Sequence, residues 1–410
     1  MLKDLKLSHI VSGAVAVLVG YTGSVAIIFQ AIEAVGASQT QASSWMLALG
    51  LGMGITCLIL SLRFRMPILT AWSTPGAALL AVSLNGVPLE QAIGAFVFCG
   101  LLLTLTGVSG WFGVLSRLIP DNLANAMLAG ILFQFGLSAF TFLQTDTALV
   151  AVMGLTFLLG RRLLPRYTIP AVLAVGTIWC AATGAFGDIG NLDLTLARPA
   201  FIMPAFSLQV LIGIGLPLYV VTMSSQTMPG VVALRAAGYQ PPISASLTVT
   251  GVATLLLAPF GGYSFNLAAI TAAICAGPEA DENPDTRYIA GVMTGIVYIL
   301  VGLGGATVIS LFLIAPKALI ATIAGLALMT TIGNSLAAAL SDTKGREAAL
   351  ITFMTTVSGI SFWGLGAPFW ALVLGLAVNH LLRTPNQHLV HKKEQDSGAN
   401  LPSRSLPNIA

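Results

Sequence analysis

Charge is what this sequence has least of. Asp, Glu, Lys and Arg make up 8% of its 410 residues, while 56% are apolar. A soluble domain carries about 25% charged residues. This composition therefore excludes a soluble enzyme or binding module and leaves most of the surface to lipid. Histidine is scarce: His9, His380, His388 and His391 all fall near the chain ends, which excludes a histidine metal centre in the apolar part. The cysteines Cys57, Cys99, Cys180 and Cys275 are far apart and form no C-x-x-C pair. They read as small apolar packing residues. No Asp, Glu, Lys or Arg falls inside an apolar run. Glu33, Glu90 and Asp121 sit at run ends, and Glu279, Asp281, Glu282 and Asp285 share one polar stretch. Walker, nucleophile-elbow and dinucleotide motifs are missing. An ATP-driven pump and an intramembrane enzyme thus have no visible chemistry. No catalytic residue, metal, cofactor or nucleic-acid partner is expected.

What is present is apolar and punctuated by 43 glycines and 20 prolines, both tolerated in transmembrane helices. Mean hydropathy is +0.90. A span needs about 20 apolar residues. Runs near 10–32, 39–62, 67–83, 89–111, 120–142, 145–160, 168–187, 207–230, 243–258, 260–276, 288–313, 317–340, 347–362 and 366–382 predict fourteen spans. With the N-terminus inside and sides alternating, every one of the eighteen cations except Arg198 and Lys317 falls on the cytoplasmic side, as the positive-inside rule demands. The first apolar run, from Ile10, is too long for a cleavable signal peptide. The expectation is an all-α polytopic protein of the bacterial inner membrane, bathed in lipid, with both termini cytoplasmic. The polar stretch 384–410 is expected to be a disordered tail.

Two stretches recur. R-M-P-I-L-T-A-W-S-T-P-G-A-A-L-L at 65–80 aligns with L-A-P-F-G-G-Y-S-F-N-L-A-A-I-T-A at 257–272. Pro67 meets Pro259, an aromatic follows in each (Trp72, Tyr263), and Thr74 meets Asn266. Pro120–Gly130 aligns with Pro316–Gly325 at nearly the same offset. Duplicated halves of seven spans would be inverted, since seven is odd. Paired short spans broken by Pro and Gly are the sequence pointer to a transporter site. The runs after Pro67 and Pro259 are predicted to enter the membrane extended, in spans three and ten. Helices would then start at Ser73-Thr74-Pro75 and at Asn266, with Thr and Asn as caps. Two helix N-termini facing each other would attract an anion without Lys or Arg.

A second polar cluster lies in the eighth span, L-Y-V-V-T-M-S-S-Q-T-M-P-G at 218–230. Gln226 is the most polar side chain deep in any span. Ser224 has the alternative of helix–helix hydrogen bonding. In the first span, Gly20-Tyr21-Thr22-Gly23-Ser24 is the positional counterpart, with close packing through Gly as its alternative. Trp72, Tyr263 and Phe265 are aromatics near the crossing, with Tyr21 and Tyr219 as further candidates, although Trp and Tyr also populate membrane belts. Polar groups with aromatic walls suit a flat ligand with one polar end.

The two short spans, with P-L-Y-V-V-T-M-S-S-Q-T-M-P-G between them, resemble the BenE-type benzoate/proton symporters of bacterial inner membranes, over roughly residues 8–383. The layout resembles the uracil permease fold more distantly. The resemblance implies secondary import of benzoate with protons. It also implies a core domain (1–111 and 207–314), a gate domain (112–206 and 315–383), and a site between spans three and ten beside span eight. Nucleobase carriers of that fold hold the base with acidic residues in spans eight and ten; by position this chain has Ser224 and Phe265, which argues against a nucleobase. The expected binding set is Ser73, Thr74, Asn266, Ser224, Ser225 and Gln226 for the carboxylate, with Met223, Tyr263 and Phe265 for the ring. Glu33, at a span end, is the candidate proton carrier. Another small anion or a nucleobase on the same fold, or a channel or structural membrane protein, remain the alternatives. Oligomeric state is open, a homodimer included.

Overall fold

The computed structural model describes residues 4–113, 120–188, 193–363 and 365–382. The expected tail and the cations Lys3, Arg117, Arg383, Lys392, Lys393 and Arg404 lie outside the described residues. Helices α1 (Leu7–Thr22), α2 (Val25–Ala34) and α3 (Gln39–Phe64) are followed by strand β1 (Thr70–Trp72), then α4 (Thr74–Ser83) and α5 (Leu89–Ser109). Helices α6 (Asp121–Thr141), α7 (Thr147–Leu163) and α8 (Thr168–Ala182) come next. The long α9 (Leu208–Ala236) and α10 (Ile243–Leu257) precede β2 (Phe265–Leu267) and α11 (Ile270–Ala276). The chain closes with α12 (Tyr288–Leu303), α13 (Gly305–Ile314), α14 (Lys317–Ser341), α15 (Arg346–Ser358) and α16 (Ala367–Leu382).

Local signals set the boundaries. Ser38 and Gln41 form a reciprocal capping box at the start of α3, with bonds of 2.8 and 3.3 Å. Arg65 ends α3 in the left-handed region at φ 50°, two residues before Pro67. Extended prolines, Pro120 and Pro316, precede α6 and α14. Among the described residues, seven helices are long and apolar enough to cross a membrane, and α1–α2 forms an eighth such unit bent by 42°. The apolar helices α4, α8, α13 and α16 are shorter. The protein is a mostly helical, polytopic membrane protein.

Helices pack where small residues let backbones meet. A Cβ on Gly50 of α3 would lie 2.4 Å from Gly302 Cα of α12. α5 packs on α10, α1 on α12 and α11, and α2 on α4; α6 packs on α14 and α15, α7 on α8, and α15 on α16. Residues 193–207 run as an extended strap across several of these ends. Ala197 N donates to Leu303 O (2.9 Å), Ile202 N to Pro259 O (2.8 Å) and Ala205 N to Glu90 O (2.9 Å).

The two short extended segments pair with each other, antiparallel, with Thr70 opposite Leu267, Ala71 opposite Asn266 and Trp72 opposite Phe265. Ala268 N to Leu69 O (2.9 Å) and Ser73 N to Ser264 O (3.1 Å) extend the ladder. This pairing is why strand can exist within an apolar chain: its polar backbone is satisfied and buried in protein. Gly261 makes the approach to β2. It sits at φ 99°, and a Cβ there would lie 1.9 Å from the Trp45 indole.

The pairing corrects the expected helix starts. Ser73, not Thr74, is the N-cap of α4, and Thr74 is its first residue. Asn266 caps nothing; it lies mid-strand, and α11 starts only at Ile270 behind Ala269, which gives no side-chain cap. Cross-strand hydrogen bonds hold Asn266 extended against its capping preference.

Another departure lies at the α1 entrance. His9 is fully buried and Asp281 is 5% exposed, although the sequence places them near a terminus and in a polar loop. His9 Nδ1 accepts from Lys6 N (3.1 Å), so Nε2–H donates to Asp281 (3.0 Å). Lys6 Nζ (2.9 Å), Thr286 Oγ1 (2.8 Å) and Asn283 N (3.1 Å) complete the carboxylate's shell. These donors, Lys6 first, hold the Asp281 carboxyl well below the usual range. Arg287 reaches the Ala276 carbonyl at the end of α11 (2.8 Å). The clasp therefore ties the foot of α11 to that of α1.

Candidate functional site

The strand crossing organises the hydroxyl groups around it. Ser73 Oγ accepts from Gly76 N (3.1 Å) and from Thr222 Oγ1 of α9 (3.1 Å). Thr222 also lies 3.0 Å from Ser264 Oγ. With its one proton given to Ser73, Thr222 accepts from Ser264. Tyr263 Oη donates to the Ser73 carbonyl (3.0 Å). With its oxygen toward Ser73 N (3.1 Å) and its nitrogen toward Leu267 O (3.0 Å), the Asn266 amide bridges the two strands. Ser73 and Asn266 thus have their polar atoms engaged in holding the crossing together.

The two helix starts differ in what they offer. At α4, Ser73 Oγ takes the Gly76 N–H, Ser73 O takes Ala77 N, and Pro75 has no N–H. Thr74 N is what remains of the first-turn donors. At α11 no side chain caps the first turn, so its leading N–H groups have no intrahelical acceptor.

The polar cluster of α9 lies on a π-helical turn, Met223–Thr227, a form that recurs at functional sites. Pro229 explains the widening locally, since it lacks the N–H that would close the turn. Thr227 Oγ1 bonds back to Thr222 O (3.3 Å). Ser224 Oγ donates to Val220 O (2.8 Å) on its own helix. Ser225 Oγ lies 3.5 Å from Ser224 Oγ. Met223 is buried, while Ser225 and Gln226 are partly exposed. Thr74 is partly exposed as well.

Tyr263 and Phe265 are completely buried. The Tyr263 ring packs with Trp45 (6.4 Å) and Phe96 (6.0 Å). The Phe265 ring fills the space over Gly52, where a Cβ would lie 2.0 Å from it. Both rings are part of the packing around the crossing and line no open space in this conformation. Glu33 is exposed on α2, away from the crossing.

Three buried polar groups near the crossing, Trp45 Nε1 among them, have no hydrogen-bond partner and were not in the expected set. Tyr21 Oη and Thr271 Oγ1 are shielded from solvent and have no hydrogen-bond partner. The Tyr21 ring lies 5.0 Å from that of Trp72, and Trp72 Nε1 donates to Ser24 Oγ (2.7 Å) at the α1–α2 break. Thr271, in the first turn of α11, packs on Gly20, where a Cβ would lie 2.9 Å from its methyl. Unpaired buried hydroxyls cost about 1–3 kcal/mol each and are uncommon. The Gly20–Ser24 motif pointed to Tyr21. Nothing local singled out Thr271, because its place depends on where α11 begins.

The family model for the benzoate membrane transport protein, BenE, matches residues 3–381. The inner membrane protein YdcO of Escherichia coli (strain K12) is 44% identical over 368 residues, spanning 89% of this chain and 93% of that one. The benzoate membrane transport protein of Acinetobacter baylyi is 38% identical over 383 residues, 93% of this chain and 97% of its own. Among solved structures, the transmembrane domain of the cyanobacterial bicarbonate transporter BicA matches with TM-score 0.58 and 17% identity, covering 93% of this chain and 98% of that one. That likeness shows the fold alone.

Proposed function

This chain belongs to the BenE family of benzoate membrane transport proteins, and on that premise we propose that it imports benzoate, or a close aromatic carboxylate, together with protons across the bacterial inner membrane. The observation that carries the assignment of the site is the pair of unpartnered hydroxyls, Tyr21 and Thr271, beside the uncapped start of α11. A carboxylate placed there would accept from Thr271, Tyr21 and the first-turn N–H groups. Thr74, Ser225 and Gln226 are the further donors, and the Tyr21 and Trp72 rings offer an aromatic wall. Ser73, Ser224, Met223, Tyr263, Phe265 and Asn266 support that arrangement by fixing the crossing and the π-turn. No fixed cation is required, so both the anion and its neutral acid are tolerated.

The remaining topology belongs to the same reading. Fourteen crossings arise when α4 and α11 with their strand segments, α7, α8, α15 and α16 join the seven long helices and the bent α1–α2 unit, with α13 continuing the span of α12, giving two inverted halves of seven. Core (1–111 and 207–314) and gate (112–206 and 315–383) would move against each other, with both termini cytoplasmic. Glu33 is the candidate proton carrier. Uptake of labelled benzoate by proteoliposomes tests the proposal. Saturable uptake that rises with an inward proton gradient, and that falls with unlabelled aromatic acids but not with sulfate or uracil, is the expected result. Uptake insensitive to any pH gradient removes the proton coupling. Competition by sulfate or uracil at benzoate-like concentrations removes the substrate assignment.

A further inference from the structure

A cavity of about 480 Å³ opens between α2, α4, α6 and α14. A second, of about 300 Å³, shares Val82, Asn85 and Gln134 with it. Both lie toward the C-terminal end of α4, away from Ser73. From Ser73 to Ala81 the helix rises about 12 Å. The proposed topology places this end in the periplasm. Sites for small molecules span about 300–1,000 Å³, so the space suits an aromatic acid with accompanying water.

The lining is polar for a membrane protein. Gln30, Glu33, Asn85, Gln134, Ser138 and Lys317 face the larger cavity. Glu33 and Lys317 are its charged groups. Lys317 forms no ion pair or hydrogen bond within the described chain, and it is exposed. Two local rules also disfavour it. It is the first residue of a 25-residue helix, where a cation opposes the helix dipole. It is also one of the two cations on the side that the positive-inside rule depletes. Helix formation and membrane orientation therefore leave this lysine unexplained, while a polar cavity open to an incoming carboxylate explains it.

We propose that this cavity is a capture site for the carboxylate substrate on the outer face, with Lys317 as its cationic anchor and the Gln30, Asn85 and Gln134 amides as added donors. The proposal rests on the reading of the chain as an aromatic-carboxylate importer. The cation concentrates the anion at the mouth of the path, and the neutral site at the strand crossing then takes it up. Glu33, across the same cavity, competes with the substrate for Lys317 when ionised.

The test is benzoate influx in right-side-out vesicles carrying wild type, Lys317→Gln or Lys317→Arg, each at low and high salt. Lys317→Gln is expected to raise the influx KM roughly tenfold, the low end of electrostatic focusing in a cleft, with maximal rate kept. Its KM should be insensitive to salt, Lys317→Arg should restore the wild-type behaviour, and efflux KM should be unchanged. Wild-type KM and salt dependence in Lys317→Gln overturn the capture site while leaving the importer reading intact. An equal rise of KM in both directions also overturns it, because it places Lys317 in general folding or cycling. Absence of aromatic-acid transport by the wild type defeats the importer reading itself.

Discussion

Removing the Tyr21 hydroxyl should make the empty protein more stable and the loaded one less so. In the structure that hydroxyl is shielded and has no partner. An unsatisfied buried polar group costs about 1–3 kcal/mol, and Tyr21→Phe deletes it while leaving the ring against Trp72, 5.0 Å away. The melting point without ligand should therefore rise or hold. If the hydroxyl donates to a bound carboxylate, the same change removes a hydrogen bond to a charged acceptor, worth about 1.5–3 kcal/mol. Benzoate affinity should then fall roughly 10- to 150-fold. Thr271→Val should act in the same two directions, and the double variant should fall short of additivity, since both groups serve one ligand. Calorimetric titration and thermal melts with and without benzoate read both signs at once. Ligand stabilisation follows the ratio of concentration to Kd, so the gap between the two melts should shrink in each variant. Unchanged affinity in both variants, with folding intact, would refute the placement of the carboxylate beside α11. A lower melting point without ligand would refute the claim that the hydroxyls are unpaired.

Other outcomes follow from separate parts of the molecule. Glu33→Gln should abolish accumulation driven by a pH gradient while leaving substrate exchange intact; persistent accumulation excludes Glu33 as the carrier. His9→Ala should cost about 1–3 kcal/mol by stripping a donor from the buried Asp281 carboxylate, read as a lower melting point at pH 7. Because the Asp281 carboxyl is depressed in the fold, its contribution is present above the unfolded value of about 3.9 and is lost as pH falls through the folded one. The difference between wild type and Asp281→Asn should thus hold from pH 7 to pH 5 and shrink only in stronger acid, and a difference that vanishes by pH 5 contradicts this. Gly261→Ala meets both a positive φ and the Trp45 ring, so expression or melting point should fall sharply. Adding Trp45→Ala should relieve the clash yet leave the backbone strain of about 1–3 kcal/mol.

The polar cluster of α9 shows how far local reading carries. Its Ser, Gln and Pro residues stood out against apolar neighbours, so their position was legible. That Ser224, Ser225 and Gln226 share a π-turn, and that Ser224 turns back onto Val220 while Gln226 stays unengaged, depends on how α9 packs. The strand segments were legible from Pro67 and from Gly261-Gly262. Their mutual pairing was not, because register is a relation between residues almost two hundred positions apart in the chain.

The sequence by itself determined the solvent of this protein. Burial in lipid depends on composition and run length, which are local sums, and so does the expectation of extended breaks at Pro and Gly. The tertiary structure alone decided which polar groups are consumed and which are left over. Asn266 looks like a ligand donor in isolation, but the strand crossing uses its amide, and Ser73 Oγ serves there as an acceptor for Gly76 N and Thr222. His9 and Asp281 look like solvated ends, but packing of α1 against the loop after α11 buries them together. Thr271 becomes notable only as a buried group without a partner, and so does the hydroxyl of Tyr21, whose motif alone was visible in the sequence. Hydrogen bonding is a pairwise account that closes in three dimensions, so which donors remain free for a ligand cannot be summed along the chain.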